Sequence, residues 1–369
     1  MFDFIPLAKP NLLQKDIDLV VEVLKSGMLV QGKYVAELEN SFSKLCGTSC
    51  ASALSNGTST LHLALIALGI KAGDEVIVPA FSYIATANVV ELVGATPIFV
   101  DIDITTFNID VSKIETVVTK KTKAIISVHE FGLACDIEAI VAIAKKHNLF
   151  VIEDAACALG AFYKNKHVGS FGDFGSFSLH PRKAISSGEG GVLVTNNLAY
   201  DKKIKILRNH GTEIINGKMD FTEFGFNYRM TDFQAALVVS QLDRLQNSIN
   251  YKNELANIYF TEIKSNKIQL PIIPNYTSHT WQTFHVVLDE SINRDEIIIK
   301  LKENNIGANY GAQCMPSMKS FKEKYNYNCE MLFPNALRAY KQGLALPIYD
   351  LVNKEQIHYI SETINNLIA

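Results

Sequence analysis

Residues 176–191 read SFSLHPRKAISSGEGG and place one lysine, Lys183, in a polar turn three residues after His180. A lone lysine is ordinarily a surface charge. Its neighbours widen the reading. Ser176, Ser178, Ser186 and Ser187 are small hydroxyl donors suited to a phosphate, and Gly188, Gly190 and Gly191 permit close approach or a positive φ. The nucleotide loop GxxxxGK[ST] is absent, and GEGG does not match GxGxxG. The stretch is open to three uses: a phosphate contact, a solvated turn, or a reactive amine.

Three upstream stretches could work with Lys183. SNGTSTLHLAL (55–65) is a turn entering a helix. Ser55 or Asn56 can cap it, Gly57 lets backbone approach a ligand, and the free N–H groups of a first turn favour an anion. An ordinary capped helix is the plainer explanation of the same residues. VIEDAACALGA (151–161) ends a strand on Glu153 and Asp154. Adjacent strand residues point to opposite faces, so one of the two faces a given site; the alternative is an acid that caps the next turn. No cluster of further ligands stands nearby, so no metal is expected. PAFSYIATAN (79–88) puts Phe81 and Tyr83 on one side of an extended segment, where either could stack on a flat ring or pack in the core.

Taken in order, these are an anion-binding turn, an aromatic, a strand-end aspartate and a lysine. That order suits pyridoxal 5′-phosphate (PLP), which needs a lysine for its aldehyde carbon, an acid on its pyridinium nitrogen and a cradle for its phosphate.

Such residues need a frame. EVIVP (75–79), TPIFVDI (96–102), KAIISVHE (123–130), LFVIEDA (149–155), FGSFSLH (174–180) and GGVLVTN (190–196) read as strands. TLHLALIALGI (60–70), ATANVVELVG (85–94) and DIEAIVAIAKKHN (136–148) between them have helical spacing. The alternation predicts an α/β fold with a mostly parallel sheet flanked by helices, whose ligands lie at the carboxyl ends of the strands. The pattern changes near residue 232, where a long helical stretch, open to a kink, begins. A strand at 284–290, a helix at 294–305 and a closing helix follow. The expected division is a large domain over 1–245 and a smaller C-terminal α+β domain over 246–369.

Bulk properties exclude other classes. The 369 residues are 48% hydrophobic and 20% charged with a net charge of −3, which provides no basic field for nucleic acid. Six cysteines without a CxxC pair suit a reduced cytoplasm. The N-terminus lacks the pattern of a signal peptide. The most apolar stretch, 76–100, holds two prolines and a glutamate, so it reads as buried strand and helix and no membrane span is expected.

Over nearly its whole length the chain resembles the DegT/DnrJ/EryC1 sugar aminotransferases, a group of the fold-type I PLP-dependent transferases. The carriers are SGMLVQGKYVAELE (26–39), SNGTSTLHLAL, VPAFSYIATAN, VHEFGLACDIEAI (128–140), VIEDAACALGA, SFSLHPRKAISSGEGG, LRNHGT (207–212) and GFNYRMTDFQAAL (225–237). The resemblance implies that Lys183 bonds to the cofactor, that Asp154 keeps the ring nitrogen protonated and that Tyr83 stacks on the ring. It assigns Thr58 and Ser59, by backbone and hydroxyl, and Ser178 to the phosphate, beside the close approach that Gly57 allows the cofactor, and His180 to the sugar side. Asn227 would reach the phosphate of the other subunit, which implies a homodimer with shared active sites. The implied substrates are a nucleotide-linked keto-sugar and L-glutamate as amino donor. A turn of the GEGG type resembles members acting on 4-keto-6-deoxy sugars, and GDGG or GDAG those acting at C3; SSGEGG points to C4. A sugar 3-dehydratase would carry histidine in place of Lys183. A regulatory protein that binds PLP or sugar without turnover is the alternative of another class. Two departures stand out: Cys157 occupies a position where glutamine is common, and NYGAQCMPSM (309–318) lacks both histidines of HYxPxH.

Overall fold

The computed structural model describes residues 2–368. Seven strands form its central sheet: β1 (Cys50–Leu54), β2 (Glu75–Pro79), β3 (Thr96–Val100), β4 (Thr122–Val128), β5 (Phe150–Asp154), β6 (Phe174–Ser178) and β7 (Gly191–Thr195). Their order is β1-β7-β6-β5-β4-β2-β3, and only β7 runs antiparallel to its neighbours. The six strands expected from sequence are all present, with ends moved by one or two residues. β1 has no counterpart among those expectations. Its sequence, CASAL, is small and weakly β-forming, and pairing along its whole length with β7 makes it a strand.

The apolar runs are long because the sheet is covered on both faces. Alternate side chains feed two cores. Ile77, Ile125 and Val151 pack with the helix α2 (Lys33–Cys46) and with 137–144; Val76, Ile126 and Ile152 pack with α3 (Gly57–Ala67) and α4 (Ala85–Leu92). A further helix, α1 (Gln14–Ser26), lies against the helix Asp232–Leu242. The long helical stretch is two helices, Asp232–Leu242 and Leu245–Glu262. The break falls at Arg244, whose guanidinium bonds the buried carboxylate of Asp16 and the carbonyls of Asn11 and Ser240.

A third core gathers Leu255, Tyr259, Phe284, Leu301, Leu344 and Ile360. It surrounds a three-stranded sheet in which Phe284–Leu288 lies between Ile268–Gln269 and Gly343–Leu346. The two bodies exchange segments: Ile5 belongs to this third core, whereas Cys314, Met315, Phe321 and Phe333 pack with the core of α3 and α4. Among the described residues no helix is long and apolar enough to cross a membrane.

Candidate active site

The carboxyl ends of β2, β4, β5 and β6 open into a cavity of about 630 Å³. Its lining includes Gly57, Thr58, Tyr83, Asp154, Ser178 and Lys183, which are far apart in sequence.

The two acids that end β5 part company. Asp154 lines the cavity. Its Oδ2 accepts from Thr86 Oγ1 at 2.8 Å and its Oδ1 from the Ala156 N–H at 3.2 Å. Burial pushes the Asp154 carboxyl up, against the pull of Thr86, the Ala156 N–H and the Lys183 charge. Glu153 points the other way and is fully enclosed. It accepts from the Gly169, Phe171 and Gly172 N–H groups at 2.7, 2.7 and 2.8 Å and pairs with His129 Nε2 at 3.1 Å. The Cys135 N–H donates to His129 Nδ1, so the ring proton sits on Nε2, toward Glu153. Burial opposes the charge on Glu153, but His129 and the glycine N–H groups outweigh it and hold the carboxyl below its ordinary range.

The turn before α3 supplies the opposite flank. Asn56 Oδ1 accepts from the Ser59 N–H at 2.8 Å, and Ser59 Oγ donates to the Asn56 carbonyl at 2.7 Å. The N–H and hydroxyl of Ser59 are thus engaged in the cap, while the Gly57 and Thr58 N–H groups find no acceptor among the described residues. A Cβ at Gly57 would sit 2.9 Å from Ser178 Cβ, so only glycine lets α3 close on the end of β6. The last glycine of GEGG serves the same turn: a Cβ at Gly191 would lie 2.5 Å from the Asn56 carbonyl oxygen.

The four serines flanking Lys183 divide. Ser178 lines the cavity. Ser176 is buried and shares a hydrogen bond with Thr60 Oγ1. Ser186 and Ser187 are buried and bond the carbonyls of Leu179 and Glu189. Of the two aromatics, Phe81 is enclosed against Phe107 and Phe131, and Tyr83 is 66% exposed at the cavity rim. They separate because the extended segment ends at Ser82 and the chain turns into α4.

Lys183 Nζ donates to Cys157 Sγ at 3.0 Å. His180 also lines the cavity, and its carbonyl accepts the Lys183 N–H at 2.8 Å. Burial pushes the His180 imidazole down, which leaves it neutral near pH 7. Asn227 is exposed and does not line the cavity of its own chain. The 309–318 segment contributes Gly311 and Ala312, held in place because Gln313–Cys314 pairs with Phe81–Ser82. Sequence reading missed Thr86, Glu130, Tyr228 and Gln282 as lining residues. Glu130 carried a signal, an acid closing the expected strand KAIISVHE as Asp154 nearly closes LFVIEDA; the others carried none.

The donor set fits PLP. A glycine-lined turn with two open N–H groups faces the Ser178 hydroxyl, an enclosed carboxylate keeps lone pairs for a ring nitrogen, and a lysine amine shares their cavity.

Comparison with known proteins supports the fold and the cofactor class. The model of the DegT/DnrJ/EryC1/StrS aminotransferase family matches residues 10–365. The GDP-perosamine synthase of Escherichia coli O157:H7 is 39% identical over 363 residues, covering 98% of both chains. The GDP-perosamine synthase of Caulobacter vibrioides is 40% identical over 299 residues, 80% of both chains. Among solved structures, the putative sugar aminotransferase Spr1654 of Streptococcus pneumoniae in its PMP form superposes with a TM-score of 0.94 at 28% identity, over 99% of this chain and 97% of that one.

Proposed function

This chain belongs to the DegT/DnrJ/EryC1/StrS family of PLP-dependent sugar aminotransferases, and from that premise we propose that it transfers an amino group from L-glutamate to C4 of a GDP-linked 4-keto-6-deoxy sugar. The observation that carries this reading is the similarity to two GDP-perosamine synthases at 39% and 40% identity. The GEGG turn after Lys183 supports C4 over C3.

When bound, PLP supplies a carbon that carries the amino group and a ring that accepts electrons from the donor's α-carbon. The rest falls to residues of this chain. The Gly57 and Thr58 N–H groups and the Ser178 hydroxyl bind the phosphate, with Ser59 fixing the turn that presents them. Tyr83 covers the ring. Asp154 holds the proton on the ring nitrogen, oriented by Thr86. The Lys183 amine would anchor the cofactor and would move the proton at the donor's α-carbon. His180, neutral and next to the lysine turn, faces the sugar.

Two copies complete two sites in this reading, with Asn227 of each reaching the other's phosphate. Met219, Phe221 and Phe224, close to Asn227 in sequence, are 67%, 65% and 101% exposed in the single chain, which supports an apolar contact with a second copy there. In this reading the cofactor domain spans 1–245 and the smaller one 246–369; the separate core around Tyr259 and Phe284 supports the division, while Ile5 and the segment from Cys314 to Phe333 cross it. Six unpaired cysteines support a cytoplasmic enzyme.

The test begins with absorbance. Protein loaded with PLP shows a visible band that borohydride removes and that Lys183→Ala lacks; glutamate converts it to the amine form, whereas a non-catalytic binder keeps it unchanged. GDP-, dTDP- and UDP-linked 4-keto and 3-keto sugars are then offered, and product NMR locates the new amine. An amine at C3, or turnover with dTDP- or UDP-sugars but not GDP-sugars, overturns the substrate assignment.

A further inference from the structure

Glu130 has no part in the reading above, yet it is aimed into the same cavity. It stands two residues beyond the end of β4. The sheet order places β4 and β6 on opposite flanks of β5, so Glu130 lies across Asp154 from Ser178. Its side chain is 4% exposed and lines the cavity with Asp154, Cys157 and Lys183. Its Oε2 has no hydrogen-bond partner among the described residues. An enclosed, unpartnered carboxyl oxygen is costly, and such atoms call for a ligand or a function.

The charged groups that face it are Asp154 and Lys183, with the Cys157 thiol nearby. Burial pushes the Glu130 carboxyl up to about 8; the Asp154 charge adds to this, and the Ser82 hydroxyl and the Lys183 charge oppose it without prevailing. Near pH 7 the group is mostly the neutral acid, which can donate through its O–H.

The cofactor presents an acceptor on that flank. In PLP the ring nitrogen and the aldehyde carbon are at opposite ends of the ring, with the phosphate arm on one side and the phenolic oxygen on the other. Asp154 and Lys183 take the two ends. Gly57 and Ser178 take the phosphate side, which leaves the phenolic oxygen on the side of β4. Cys157 and Glu130 both line the cavity next to Asp154 and Lys183. Cys157 is a weak donor and already accepts from Lys183 Nζ. Glu130 is the strong donor.

We propose that Glu130 works as a neutral carboxylic acid that donates a hydrogen bond to the phenolic oxygen of bound PLP, and so sets how firmly the nitrogen joining Lys183 to the cofactor holds its proton. A donor at that oxygen stabilises its negative charge. The neighbouring nitrogen then gives up its proton at a lower pH.

The inference rests on the Lys183–Asp154 assignment, and the experiment separates the two. The visible band of PLP-loaded protein is titrated with pH. Glu130→Leu removes the donor and raises the midpoint by about one pH unit, the size of one net hydrogen bond. Glu130→Gln keeps an N–H donor of the same shape and leaves the midpoint near that of the parent. A carboxylate at this position predicts the reverse, a lower midpoint in both variants, and that result overturns the proposal. So does a midpoint that neither variant moves. If Glu130→Leu fails to fold or to take up PLP, infrared spectroscopy decides: the loaded parent shows a protonated carboxylic C=O stretch at pH 7 that Glu130→Gln lacks, and absence of this band overturns the proposal. Loss of the visible band in the parent protein would sink the Lys183 assignment instead.

Discussion

The two sides of β5 at its carboxyl end show how one strand serves two purposes. On one side Glu153 is satisfied four times over, by three N–H groups of the Gly169–Gly172 loop and by His129. On the other, Asp154 has two donors and open cavity before it. Both are buried carboxyls one residue apart, yet their ionisation is biased in opposite directions: Glu153 is held down by its donors and Asp154 is pushed up by burial. Saturated hydrogen bonding makes an acid part of the scaffold. Incomplete hydrogen bonding in the same dry setting leaves it able to bind a cation, which is what the ring nitrogen of PLP presents.

Substitutions can break that division. The largest effect on turnover is expected from Asp154→Asn, a loss on the order of 10²–10³ in kcat with little change in a urea melt of the cofactor-free protein, because the charge it removes acts on the bound ring. Glu153→Gln reverses the pattern. It strips a buried charge from its partners and lowers unfolding free energy by roughly 3–5 kcal/mol, while folded protein keeps the visible band of bound PLP. Equal losses of stability in both variants would refute the contrast. The sign with pH is also set: Glu153 ionises more readily folded than unfolded, so its contribution is fully present above the ordinary carboxylate range and is lost as the pH falls from that range through the lower pKa of the folded state. The smallest effect comes from Thr86→Val. It deletes one hydrogen bond to Asp154, worth about 1 kcal/mol. Because Thr86 favours the charged form, its loss moves the acid limb of the rate profile to higher pH. An acid limb that stays in place would detach Thr86 from the function of Asp154.

Much of the fold was legible because its strands are buried on both faces. β2 through β7 announce themselves as apolar β-branched runs between helical patterns. β1 does not, since Cys50, Ala51, Ser52 and Ala53 become a strand only when β7 offers a partner. The serines around Lys183 show the same limit within the site. All four are equal as residue types, and three are engaged by neighbours that sequence does not reveal.

By itself the amino-acid order determined the chemistry on offer: a lysine after a strand, an acid at a strand end, a glycine turn entering a helix, an aromatic beyond a third strand. Local spacing and the two-residue strand period suffice for that. Tertiary structure alone decided which member of each pair faces the cavity. It chose Asp154 over Glu153 and Tyr83 over Phe81, turned Ser178 alone of the four serines toward the cavity, and brought Glu130 into the same cavity as Lys183. Those choices depend on strand order and on which groups find hydrogen-bond partners when water is excluded, and neither is written in the spacing of residues along the chain.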